Sequence, residues 1–149
     1  MGQVPEKLAE FVERFNRREY RKALDPVEDL WFADRNDFYK GLIRVVVALN
    51  QLETTGLTQS PRFLLATAES LLAPFAPRHL GIDVSGLLGF IARCREFVEE
   101  HARAGAGGQA PPPAYAIDFR PPATPAGPPG PAGLPWYRRL FRRPGFGEP

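Results

Sequence analysis

Asp25 and Glu28 stand three residues apart, a spacing that brings two carboxylates to neighbouring positions on a helix. Such a pair could offer oxygen ligands to a cation or serve as acid and base toward a substrate. By themselves they make a weak oxygen site, and the plainer role is to stabilise the amide-rich start of a helix near Pro26. The remaining reactive side chains are sparse. Cys94 is the only cysteine, which rules out an intramolecular disulfide. It falls on an apolar stripe beside Ile91 and Val98, the usual setting of a buried thiol. His79 falls in a connection after Pro77, and His101 sits near a helix C-terminus, where positive charge is favourable without any chemistry. No glycine-rich phosphate loop and no serine-nucleophile motif is present.

A second constellation lies near the C-terminus. Trp136, Tyr137, Leu140 and Phe141 fall at i, i+1, i+4 and i+5, with Arg138, Arg139, Arg142 and Arg143 on the opposite side. As a helix this is amphipathic for two turns, too short to stand without a partner. These eight residues are the candidate partner-binding site. A protein partner is the expected target; an anionic membrane surface is an alternative, and nucleic acid a more remote one. The two structural readings are a tail with incidental aromatics and a segment docked on the chain's own helical domain.

The charge is unevenly placed. Residues 1–103 hold 14 Lys+Arg and 15 Asp+Glu, whereas residues 104–149 hold five Arg against two acids, with twelve of the 17 prolines. The sequence pI near 8.9 therefore comes from the C-terminal third. A folded surface without a clustered positive footprint argues against nucleic-acid binding by residues 1–103. The N-terminus lacks an apolar signal segment, and no run reaches the ~18 apolar residues that span a bilayer. The chain reads as cytoplasmic, with the tail able to place it at the periphery of a membrane or a large complex.

Five helices must position these groups. Apolar residues recur at helical spacing over 5–16, 18–33, 37–54, 61–73 and 84–103. Pro26 interrupts the second stripe, and Asp25 followed by Pro26 and Glu28 predicts a kink or restart at Asp25. Gly41 in the third helix predicts close approach of another helix. Gly56 ends that helix, Ser60-Pro61 predicts the start of the fourth, and Asp83 predicts the cap of the fifth. Short connections favour antiparallel neighbours, so the expected fold is all-α, a compact bundle with no β-sheet, followed by a largely extended tail. Leu42, Val45, Leu49, Leu65, Leu88 and Ile91 are expected in the core. Residues 104–135, rich in Pro, Gly and Ala, read as a linker, and residues 105–135 as polyproline II would reach ~100 Å.

The order Asn16, Tyr20, Ala23, Glu28, Trp31, Phe38-Tyr39-x-Gly41-Leu42-Ile43, Ala48-Leu49 and Gly81-Ile82-Asp83 resembles domain-of-unknown-function family 309, over roughly residues 10–100. The family's second helix reads Ala-His-Glu-x-Leu-Glu-x-x-Trp, with a further His on the next helix. The resemblance implies an all-helical fold and a metal or acid–base site at Leu24, Asp25, Glu28 and Gln51. Here leucine and glutamine replace both imidazoles, so that site is altered. Arg44 shares a helix face with Gly41, Ala48 and Gln51, and is expected either to pair with Asp25 or Glu28 or to face solvent. No metal and no cofactor is expected. The functional expectation is a non-catalytic interaction or assembly protein. The alternatives are an enzyme using Asp25 and Glu28, and membrane or nucleic-acid binding through the tail.

Overall fold

The computed structural model describes residues 4–104 and 111–121. The tail residues Trp136, Tyr137, Arg138, Arg139, Leu140, Phe141, Arg142 and Arg143 lie outside them.

The described residues form five α-helices: α1 (Glu6–Asn16), α2 (Tyr20–Ala33), α3 (Asp37–Thr54), α4 (Gln59–Leu72) and α5 (Val84–Arg103). α3 is central, packing on α2 and on α4, while α1 packs on α2 and α4 on α5. The bundle closes where Phe15 of α1 meets Phe90 of α5 edge to face, ring centroids 6.3 Å apart. The all-α expectation holds. Of the six residues expected in the core, Leu42, Val45, Leu49, Leu65 and Ile91 are buried. Leu88 is half-buried against the core, and Phe90 two residues on takes the inward position.

Local chemistry explains most boundaries. α1 ends in a Schellman arrangement: Arg18 has φ 64°, Glu19 N–H donates to Arg14 C=O and Arg18 N–H to Phe15 C=O. Asn36 caps α3 by accepting from the Tyr39 N–H at 2.9 Å, and Asp83 caps α5 by accepting from Gly86 N–H at 3.0 Å. Gly41 meets the predicted close approach: a Cβ there would lie 2.7 Å from Leu72 Cγ on α4.

Four expectations need correction. α2 runs unbroken through Pro26, with no restart at Asp25. The break is avoided because the Lys22 carbonyl, which Pro26 cannot serve, accepts from Arg14 Nη1 at 3.0 Å. α4 begins at Gln59, so Ser60 lies inside it and Pro61 is buried in its first turn. A small ribbon interrupts the all-helical plan: β1 (Arg78–His79) pairs antiparallel with β2 (Ile82–Asp83). Its two-residue turn places Leu80 at φ 49° and Gly81 at φ 86°, the left-handed pair that tight hairpins demand. Finally, residues 111–121 do not read as spacer. Ile117 is 4% exposed, Phe119 bridges to Ile82, and Tyr115 stacks on Phe90 at 4.8 Å.

Candidate functional site

The carboxylates of α2 are placed on its outer surface. Asp25 is exposed and pairs with Arg21 one turn earlier at 3.5 Å; Glu28 and Leu24 are half-buried. Arg44 does not complete a site with them. Its Nη1 donates to Thr67 Oγ1 at 3.2 Å, and its guanidinium lies 6.0 Å from the Phe63 ring. Among the described residues no ion pair joins Arg44 to Asp25 or Glu28. The reason is visible in Gly41, which shares the Arg44 face and lies against Leu71 and Leu72. That face is spent on α4, not on α2.

Gln51 belongs to the same face, half-buried, and its Oε1 is buried without a hydrogen-bond partner among the described residues. Tyr20 at the start of α2, 2% exposed, is the other such case among the described residues. Burial raises the Tyr20 pKa above 10.0, opposed by the nearby Arg18 charge. An unpaired buried acceptor or donor costs about 1–3 kcal/mol.

The other candidates are occupied structurally. Cys94 is buried on α5, and burial pushes its thiol up to about 12, far from the range of a reactive thiolate. His79 sits in β1 with its ring 4.6 Å from Phe38 and 4.7 Å from Phe75, and burial lowers its pKa below 6.5. His101 stacks on Phe97 at 5.8 Å. Among the described residues no three His, Cys, Asp or Glu side chains come together in a group that could hold a metal ion.

Two arrangements were not foreseen. At the end of α2, Phe32 is 59% exposed beside the half-buried Trp31, and the Arg35 guanidinium lies 4.4 Å from the Trp31 ring and 5.4 Å from the Phe32 ring. The second is the seat of residues 111–121. The amide of Asn16 donates to Ile117 C=O at 3.2 Å and accepts from Ile117 N–H at 2.7 Å. Asp83 N–H donates to Asp118 C=O at 2.9 Å, and Arg120 N–H to Gly81 C=O at 2.6 Å. The signal for it is present in the sequence: Tyr115, Ile117 and Phe119 alternate with small or polar residues at the period of a strand.

Residues 8–59 match the family described as a domain of unknown function, DUF309. This segment of the chain is a DUF309 domain, covering most of α1, all of α2 and α3, and the first residue of α4. The match is shorter than the resemblance read from the sequence and leaves Gly81-Ile82-Asp83 outside it. No curated protein and no solved structure matches the chain. No helix among the described residues is long and apolar enough to cross a membrane.

Proposed function

We propose that the chain is a non-catalytic interaction or assembly protein in which a helical domain carries a tethered Arg/aromatic anchor, Trp136 to Arg143. The observation that supports it most is the Trp31–Phe32–Arg35 cluster. A large apolar ring is left in water beside a tryptophan with an arginine stacked over both. Tryptophan and arginine dominate protein interfaces, and a guanidinium over an aromatic face adds cation–π attraction on desolvation. By contrast, several of the groups that offered chemistry are engaged elsewhere: Asp25 in an ion pair with Arg21, Arg44 in a hydrogen bond to Thr67, Cys94 in the core.

The seat of residues 111–121 changes the geometry of the anchor. The tether begins at Pro121 beside Gly81. Residues 122–135 would then reach ~43 Å as polyproline II at ~3.1 Å per residue, less than half the span expected from a spacer starting after α5.

The test is partner recovery by the intact chain, by Phe32→Ala, by Trp136→Ala/Phe141→Ala, and by a variant with Arg138, Arg139, Arg142 and Arg143 all changed to Ala. Sedimentation with anionic vesicles and with polynucleotide, at two salt concentrations, runs in parallel. Loss of a protein partner in both the Phe32 and the aromatic-tail variants supports the reading. Equal recovery by all four proteins refutes it. Loss confined to the four-Arg variant, with vesicle or polynucleotide binding that fades in salt, replaces it with electrostatic adhesion.

A further inference from the structure

The seat of residues 111–121 has the parts of a peptide-recognition groove. One edge is the backbone of Gly81–Asp83, which adds the segment antiparallel to β2 through two main-chain hydrogen bonds and the Ile82–Phe119 bridge. Main-chain pairing of this kind is how sheet edges capture extended peptides, with alternate side chains supplying selectivity. The floor is apolar: Ile117 is buried, and Tyr115 stacks on Phe90 with 12° between the ring planes. The opposite wall is Asn16, whose amide satisfies both the N–H and the C=O of Ile117, as a neighbouring strand would. Charge completes the register: Arg78 pairs with Asp118 at 3.3 Å.

The groove is assembled from two parts of the chain. Asn16 belongs to the DUF309 segment, whereas Gly81, Ile82, Asp83 and Phe90 lie beyond the matched residues, as does the occupant, whose Ile117 is 101 residues from Asn16. Between α5 and the occupant stand seven residues, 104–110, three of them glycine.

We propose that this groove is an exchangeable docking site and that its occupant in trans is the same segment, residues 111–121, of a second copy of this chain. Every contact made within one copy is available between two, because ligand and groove are both present in each; this is the condition under which exchanging an element costs least. The cis segment competes at an effective concentration of ~mM, so the intact protein holds its own segment when dilute and exchanges it when crowded at a common site. The dimer so formed carries two anchors.

Complementation between two full-length variants provides the test, each carrying Trp136→Ala/Phe141→Ala so that tail association cannot contribute. Asn16→Leu removes both bonds of the wall and spoils the groove. Ile117→Asp spoils the segment and leaves the groove intact. Each variant alone is expected to be monomeric, and an equimolar mixture is expected to give a 1:1 heterodimer by native mass spectrometry. A synthetic peptide of residues 111–121 should compete with it, whereas a scrambled peptide should not. If either variant fails to fold by circular dichroism, Tyr115→Ala replaces Ile117→Asp and Asn16→Ala replaces Asn16→Leu. Absence of the heterodimer from two folded variants, together with no peptide binding to the segment-spoiled one, overturns the proposal. The outcome is independent of whether Trp136–Arg143 binds any partner.

Discussion

The Arg14 guanidinium donates to the carbonyl of Lys22 at 3.0 Å, the acceptor that Pro26 leaves without its helical donor. Arg14 is held toward it by Glu10, four residues earlier on α1, at 2.5 Å. A proline in a helix interior ordinarily costs about 3 kcal/mol through the missing bond and the crowded turn. Here a side chain from the preceding helix supplies the missing bond, and α2 continues as one helix past Pro26. The two helices are thereby tied by a contact that depends on a proline.

That dependence can be measured. Arg14→Met is expected to destabilise the protein by about 1 kcal/mol, the ordinary value of one hydrogen bond. In a Pro26→Ala background the new backbone N–H at that position serves the Lys22 carbonyl instead, and the cost of Arg14→Met should fall. Chemical denaturation of the four proteins in a double-mutant cycle should give a coupling of about 0.5–1 kcal/mol. Additive effects would show that Arg14 acts only through Glu10.

Two helical glycines should answer the same substitution with opposite signs. At Gly89 nothing lies within 4 Å of an added Cβ, so Gly89→Ala gains helix propensity, about 0.5–1 kcal/mol of stability. At Gly41 the Cβ would meet Leu72 at 2.7–2.8 Å and Leu71 at 3.3 Å. Overpacking costs about 1–3 kcal/mol and outweighs the propensity gain, so Gly41→Ala is expected to lower stability. Thermal midpoints moving in opposite directions would check both.

Gly41 also shows where the sequence was legible. A glycine inside an 18-residue apolar period has few meanings, and close helix approach was the correct one. The bundle was readable for the same reason: apolar stripes at period 3.6 bounded by Gly56 and Asp83 admit little else. The altered site was harder to read. Sequence spacing told which residues share a face of α3 but not which neighbour that face meets, and Arg44 met Thr67. Residues 111–121 were misread through composition. Their three alternating apolar residues are embedded among prolines and alanines, and a strand of that length has no stability until Asn16 and Gly81 pair with it.

Cys94 should be inert in the folded protein. It is buried, and its thiol is raised to about 12 mainly by desolvation, with Arg93 opposing only weakly. At pH 8 native protein is expected to react with an alkylating reagent far more slowly than unfolded protein. The rate should rise with denaturant in step with the unfolded fraction. Rapid stoichiometric labelling of native protein would contradict the packing of α5.

His79 should make stability depend on pH in one direction. Its ring packs against both Phe38 and Phe75, which also touch each other, and desolvation lowers its pKa below the unfolded value of 6.5. Between those two values the unfolded chain binds the proton more readily than the folded one. Stability therefore rises with pH across that window. Above pH 6.5 the contribution is fully present; it is lost as pH falls from 6.5 through the lowered folded value, below which it changes no further. Carboxylates also titrate on the acid side, so the informative quantity is the difference between the intact protein and His79→Gln. Thermal midpoints of the two, measured from pH 7.5 down to pH 5, should show a steeper acid loss in the intact protein. Parallel curves would mean that the folded pKa of His79 is not lowered, and that packing against the two phenylalanines does not desolvate its ring.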